Sequence, residues 1–109
     1  MATFWNAKEA KPVEMLPGVT RRVISCGERV LAVRVEMVGG STIPPHNHPH
    51  EQIGFVASGR VRFTIGDSTA LLEAGDGYSI PSGVAHSVDV LEDSVAVDIF
   101  SPVREEYLS

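Results

Sequence analysis

The sequence predicts an all-β protein that folds as a sandwich or a closed barrel. Apolar residues alternate with a period of two in several short segments, and turns that contain glycine separate those segments. No window of about a dozen residues carries apolar residues at the 3.6-residue spacing of an amphipathic helix. The sequence has no internal repeat and no linker-like stretch, so we expect one compact domain over residues 1–109.

The clearest early strand is Arg29–Val38, in which larger apolar residues fill every second position. The pair Gly66-Asp67 predicts a hairpin between two later strands. Residues 1–18 are expected to form an N-terminal arm or edge strand, in which Phe4 and Trp5 require a covering surface. The other predicted strands are Pro12–Met15, Val19–Ser25, Gln52–Ala57, Arg60–Ile65, Ala70–Glu73, Tyr78–Ile80, Val84–Val90 and Ser94–Phe100.

The charge balance argues against two classes of partner. The chain has 14 acidic and nine basic side chains, a net charge of −5, and no basic run longer than Arg21-Arg22. We therefore expect it to bind neither nucleic acid nor a membrane surface. The single cysteine, Cys26, excludes an internal disulfide. The sequence contains no apolar run of membrane-spanning length and no signal-like N-terminus, so a reducing, cytoplasmic location is expected.

Three of the four histidines alternate along one short segment. His46, His48 and His50 are each two residues apart, and Gln52 follows at the same spacing. Side chains two apart on an extended chain point the same way, so this segment presents ring nitrogens and an amide oxygen on one face. The fourth histidine, His86, lies in a second segment rich in glycine and proline. Imidazole nitrogens and an amide oxygen suit a transition metal.

We predict that one divalent transition metal is bound by His46, His48, Gln52 and His86, with nickel, manganese, iron, zinc and copper all compatible. The alternative is that each histidine is an ordinary surface or core residue. His50 follows Pro49, which disturbs the alternation, so we place it at the rim of the pocket or behind a ligand, with solvent exposure as the alternative. Glu51 is out of phase with the ligand face and is expected to be a surface charge.

The spacing of these residues resembles the two motifs of the cupin family. Residues 39–59 match the first motif and residues 75–90 match the second, which implies a double-stranded β-helix, the jelly-roll barrel. Two positions depart from the family pattern: Gln52 stands where a glutamate is usual, and Val90 where an asparagine is frequent. A neutral ligand leaves a bound ion more Lewis-acidic but also holds it less strongly.

The C-terminal run Asp98–Leu108 resembles the tail of the KdgF-like group, small cupins that linearise 4,5-unsaturated uronates during pectin and alginate breakdown. The form His-x-His-Pro-His-x-Gln at residues 46–52 is shared with that group. This resemblance implies that Asp98, Phe100 and Arg104 are catalytic pocket residues.

The residue types of the C-terminal run are compatible with a pocket and also with ordinary structural roles. Asp98 lies on a strand with two largely apolar faces, where an unpaired carboxylate is costly, although alternation alone also permits a solvent-facing Asp98. Arg104 can clamp a substrate carboxylate or form a surface ion pair with Glu105 or Glu106. Phe100 can stack on a sugar or fill the core.

The predicted function is a metal-dependent enzyme that converts 4,5-unsaturated monouronates, from pectin or alginate, to linear keto forms. Its small-molecule substrate is expected to be a sugar acid. The alternatives are a metal-dependent dioxygenase of a small organic substrate, a non-catalytic sugar-binding or sensory barrel, and a cupin whose metal only joins strands. Further pocket candidates are Arg34, Arg62 and Tyr78.

A homodimer is expected, with the N-terminal arm exchanged or packed on the partner. The arm folding back over its own barrel is the alternative.

Overall fold

A computed structural model describes residues 3–108, which form ten β-strands and two three-residue 3-10 helices. The predicted all-β class is confirmed. The strands are β1 (Val13–Leu16), β2 (Val19–Cys26), β3 (Leu31–Met37), β4 (Thr42–His46), β5 (Glu51–Ser58), β6 (Arg60–Ile65), β7 (Ser68–Glu73), β8 (Gly77–Ile80), β9 (His86–Val90) and β10 (Ser94–Ser101). The helices are Ala7–Glu9 and Glu105–Tyr107. Neither is long or apolar enough to cross a membrane.

Two antiparallel sheets form the barrel walls. The six-stranded sheet has the order β1-β2-β3-β10-β5-β8, and the four-stranded sheet has the order β4-β9-β6-β7. Apolar side chains from the inner faces of both sheets form one core, because alternate residues of each strand point inward. The buried apolar residues are Val19, Leu31, Val33, Val35, Met37, Val56, Val61, Phe63, Ile80, Val88, Val90, Ala96 and Phe100.

The strand order brings three strands of the larger sheet together at the site. Asp98 of β10 pairs with Gly54 of β5, and Gly54 pairs on its other side with Tyr78 of β8. In the smaller sheet, His46 at the end of β4 pairs with His86 at the start of β9. The register therefore places polar residues from distant parts of the sequence on the inner faces of the two sheets.

Within residues 1–18, Val13–Leu16 forms an edge strand of the larger sheet, and a 3-10 helix precedes it. One local expectation is wrong, because the histidine segment is not continuously extended: β4 ends at His46 and β5 begins at Glu51. Pro49 has no N–H group for a sheet hydrogen bond, which favours a break in the ladder there.

The N-terminal arm leaves its aromatic residues uncovered within this chain. Phe4 is 94% exposed and Trp5 is 47% exposed. The homodimer in which a partner covers them stays a prediction.

Candidate metal centre and adjoining cavity

Three histidines converge on one point. One ring nitrogen from each of His46, His48 and His86 lies within 4.8 Å of the others. His46 and His86 come from paired strands, and their ring centroids are 4.2 Å apart. His48 reaches them from the loop between β4 and β5, with its ring 5.0 Å from that of His86. His48 therefore joins the group through the path of the loop, and not through the strand alternation that the sequence predicted.

The Nδ1 atom of each of these rings lies at hydrogen-bonding distance from a main-chain carbonyl. The contacts are His46 to Pro44 at 3.0 Å, His48 to His50 at 3.0 Å and His86 to Val84 at 2.9 Å. Because a carbonyl oxygen only accepts, Nδ1 carries the proton in a neutral ring and Nε2 keeps a free lone pair. This is the tautomer in which an Nε2 atom coordinates a metal with its other nitrogen held by a hydrogen bond.

Burial keeps two of the rings uncharged. It lowers the pKa of His86 to about 4, and it also lowers the pKa of His48, with a further contribution from the Arg104 charge. Both imidazoles are therefore neutral near pH 7 in the metal-free protein. The buried Nε2 of His86 has no hydrogen-bond partner among the described residues. A buried, unprotonated and unpaired nitrogen is costly unless something such as a metal ion satisfies it.

Gln52 lies beside the three histidines. It is buried on β5, and its Oε1 lies 3.0 Å from Nε2 of His48. With the proton of His48 on Nδ1, two lone pairs face each other across this distance, and a cation near both atoms removes the repulsion. Three imidazoles and one carbonyl oxygen fit a divalent transition metal, so the residues present suit the metal that the sequence predicts.

His50 and Glu51 lie outside this group. The His50 ring is half-buried next to His48, with centroids 5.6 Å apart, and its main-chain carbonyl accepts the hydrogen bond from His48. His50 therefore holds the His48 ring from behind, mainly through its backbone. Glu51 is exposed, as its phase in the sequence predicts.

A cavity adjoins the metal centre inside the barrel. Its volume is about 60 Å³, well below the roughly 300 Å³ at which typical small-molecule pockets begin. The polar or aromatic side chains that line it are His46, Gln52, Phe63, Tyr78, His86, Asp98, Phe100, Arg104 and Tyr107. Two of the lesser candidates, Arg34 and Arg62, are exposed and do not line it.

Asp98 is buried and lines this cavity, so the solvent-facing alternative is wrong. The Tyr78 hydroxyl donates a hydrogen bond to Asp98 Oδ1 at 2.5 Å. Burial raises the pKa of Asp98, while hydrogen bonding by Tyr78 and Gln52 and the charge of Arg104 act to lower it. A buried carboxyl group under these opposing influences can both take up and release a proton.

Arg104 follows β10 after a cis peptide bond between Ser101 and Pro102. Its side chain is 14% exposed and forms an ion pair with Glu106, Nε to Oε2, at 3.5 Å. The guanidinium also lines the cavity and lies 4.3 Å from the centre of the Tyr107 ring. Arg104 therefore forms the surface ion pair and also lines the cavity.

Phe100 forms part of the cavity wall. It is 2% exposed, and its ring packs edge-on against His48 at 5.6 Å and Tyr107 at 5.5 Å. Stacking on a sugar requires an open ring face, so this burial favours a packing role.

Two contributors to the site have no assigned role in the sequence-based prediction. Tyr107 contacts both Arg104 and Arg21, whose guanidinium lies 4.4 Å from its ring centre. Gly54 lies beneath the contact between Tyr78 and Asp98. Tyr107 stands inside the C-terminal run that resembles the KdgF-like group, and this was the available signal. No local pattern distinguishes Gly54 from the other glycines.

Comparison with known proteins identifies relatives over most of the chain. The cupin domain family model matches residues 33–101. The pectin degradation protein KdgF of Dickeya dadantii is 34% identical over 110 aligned residues, which cover 99% of this chain and 100% of that protein.

Two solved structures have the same architecture. KdgF from Halomonas sp. superposes with a TM-score of 0.89 at 30% identity, covering 95% of this chain and 98% of that one. An RmlC-like cupin from Shewanella frigidimarina superposes with a TM-score of 0.91 at 23% identity, covering 98% and 96%. The second likeness shows the fold alone.

Proposed function

Because this chain belongs to the cupin family and is similar to KdgF over its whole length, we propose that it is a metal-dependent enzyme that converts 4,5-unsaturated monouronates into linear keto acids. The Dickeya dadantii relative is named as a pectin degradation protein, and this name supports the proposed substrate class. The observation that carries the proposal is one cavity lined by Asp98, Arg104 and members of the candidate metal centre.

Asp98 has the properties that the proton transfers need. The substrate is a cyclic hemiacetal with a double bond between C4 and C5. Removal of the proton from the C1 hydroxyl breaks the bond between C1 and the ring oxygen, and it leaves an aldehyde at C1 and an enolate at C5. Return of a proton to C4 then gives the ketone at C5. One proton is taken and one is returned, so the reaction needs no oxidant, reductant or other co-reactant. We assign both transfers to the buried carboxylate of Asp98.

The metal has a supporting part in this proposal. When bound by the three histidines and Gln52, a divalent ion supplies a Lewis acid that stabilises negative charge on a substrate oxygen. His48 and His86 are neutral near pH 7 and so offer their Nε2 lone pairs without first losing a proton.

Arg104 supplies the positive charge for the substrate carboxylate. Arg104 lines the cavity, and its guanidinium carbon lies 5.4 Å from the centre of the Phe100 ring. A planar guanidinium binds a carboxylate through two parallel hydrogen bonds, which orients the sugar as well as attracting it.

The test begins with protein loaded separately with nickel, manganese, iron, zinc or copper and with the metal content measured. Each form is mixed with an unsaturated monouronate, and loss of the ultraviolet absorbance of the C4–C5 double bond is followed against a protein-free control. We expect Asp98→Ala to lower turnover by at least about 100-fold with the metal retained.

Asp89→Asn is the matched control, since Asp89 is an exposed acid on β9 outside the cavity. Retained turnover in Asp98→Ala would remove the assigned role. Oxygen uptake in place of loss of the double bond would instead favour the dioxygenase alternative.

A further inference from the structure

The hydrogen bond between Tyr78 and Asp98 spans three strands. Tyr78 lies on β8 and Asp98 on β10, and β5 runs between them. Adjacent strands are about 4.8 Å apart, so the backbones of β8 and β10 are separated by about 10 Å. A tyrosine side chain is long enough to carry a hydroxyl across most of this distance, whereas a serine or threonine hydroxyl is not.

Gly54 provides the space for this contact. It is the residue of β5 that pairs with Tyr78 on one side and with Asp98 on the other. A Cβ atom on Gly54 would lie 2.6 Å from each of three oxygens: Asp98 Oδ1, the Tyr78 hydroxyl and the main-chain carbonyl of Val97. These separations are too short for any side chain, and the φ angle of Gly54 is not in the left-handed region. Glycine is therefore required here by space and not by backbone conformation.

The surrounding packing holds Tyr78 in place. Its ring lies 4.4 Å, centroid to centroid, from the ring of Phe63 on the opposite sheet. A ring fixed in this way has little freedom to withdraw its hydroxyl, because core side chains are close-packed in single rotamers. The hydroxyl is therefore held against one oxygen of the Asp98 carboxylate, Oδ1.

We propose that Tyr78 is a positioning residue for Asp98, and that its hydroxyl, passing over Gly54, fixes the orientation in which the carboxylate exchanges its proton. This inference rests on the proposed function for its catalytic part. The contact itself and its dependence on Gly54 stand on the geometry alone.

Tyr78→Phe tests the proposal, because it removes the hydroxyl and keeps the ring against Phe63. We expect kcat to fall roughly 10- to 100-fold, as small misplacements of a catalytic group do, while KM and metal content stay within about twofold. Ser79→Ala is the matched control, since it removes a hydroxyl from the exposed face of the same strand. An unchanged kcat in Tyr78→Phe would overturn the proposal, as would a loss explained wholly by KM.

Gly54→Ala provides a second test, because its methyl group would displace the Tyr78 hydroxyl and the Asp98 carboxylate together with the main-chain carbonyl of Val97. A folded Gly54→Ala protein should show a fall in kcat similar to that of Tyr78→Phe. Wild-type kcat in a folded Gly54→Ala protein would contradict the proposal.

A spectroscopic measurement separates this proposal from the proposed function. In zinc-loaded protein with ¹³C-labelled aspartate, the Asp98 carboxyl signal is assigned by its absence in Asp98→Asn. If wild-type protein does not consume the uronate, the proposed function fails, and this signal decides the positioning role. A changed Asp98 signal in Tyr78→Phe, with Ser79→Ala unchanged, supports it, and an unchanged signal in Tyr78→Phe overturns it.

Discussion

The guanidinium carbon of Arg104 lies 4.3 Å from the centre of the Tyr107 ring. Arg21 contacts the same ring at 4.4 Å, and Tyr107 packs against Phe100 with the two ring planes nearly perpendicular. Tyr107 therefore anchors the cation that we assign to the substrate carboxylate. A ring contact of this kind restrains the guanidinium without using its N–H groups as donors.

Replacing Tyr107 with leucine should weaken substrate binding. Leucine keeps apolar bulk beside Phe100 but offers no π face to Arg104. A cation–π contact contributes about 0.5–2 kcal/mol, so KM for the unsaturated monouronate should rise roughly 2- to 30-fold. The effect on kcat should be smaller, since Asp98 and the histidines are not altered. Initial rates over a range of substrate concentrations measure both constants.

Tyr107→Phe separates the ring from the hydroxyl. Phenylalanine retains the π face, so this variant should recover most of the affinity that the leucine variant loses. An unchanged KM in Tyr107→Leu would show that the ring does not help Arg104 to bind substrate.

Replacing Gln52 with glutamate should increase the affinity for the metal and lower the turnover. The added negative charge attracts a divalent ion and should tighten its binding by about 10-fold or more. The same carboxylate lies near Asp98, on whose pKa the Gln52 amide acts in the wild type. Like charges then favour the protonated form of one acid, so turnover should fall at least about 10-fold. Competition with a chelator measures the affinity, and Gln52→Glu with both values unchanged would contradict this account.

The barrel was largely predictable because its strands follow local alternation. In β10 the buried positions are Ser94, Ala96, Asp98 and Phe100, every second residue, although alternation alone left open which face of the strand is buried. The meeting of His86 with the other histidines was predictable from motif spacing. Alternation along a strand does not explain why His48 joins the other histidines. Strand β4 ends at His46, and the loop that follows directs the His48 ring inward.

The contacts around Asp98 were not predictable in the same way. Tyr78 and Asp98 meet only because β5 lies between their strands, and no local period encodes which strands become neighbours. The place of Tyr107 depends likewise on the direction of the chain after Pro102, where regular strand structure has ended. Such contacts follow from tertiary packing, which one sequence does not specify residue by residue.

Added metal should stabilise the protein through the three converging histidines. At a free metal concentration about 100 times Kd, the expected gain in unfolding free energy is about 2.7 kcal/mol. For a domain of this size that corresponds to a rise in Tm of about 10 °C or more. His46→Ala and His86→Ala should each lose most of this rise, which thermal unfolding with and without metal measures.

His50→Ala is the matched control for those variants. The His50 carbonyl accepts the hydrogen bond from His48, and this carbonyl survives any substitution of the side chain. The metal-induced rise should therefore be nearly that of the wild type. A loss of the rise in His50→Ala equal to that in His86→Ala would place the metal elsewhere.

Acid should destabilise the metal-free protein through His86. Burial lowers the pKa of His86 to about 4 in the folded state, against about 6.5 in the unfolded chain. The unfolded state therefore binds a proton on His86 more tightly than the folded state does. The contribution of neutral His86 to the unfolding free energy is complete above about pH 6.5 and is lost as the pH falls toward 4. The difference in pKa corresponds to roughly 3 kcal/mol. Urea unfolding with EDTA at about pH 7.5 and pH 4 should therefore show a larger loss of unfolding free energy in the wild type than in His86→Gln, by about this amount. The other titrating groups are common to both proteins, so equal losses would contradict the neutral, buried state assigned to His86.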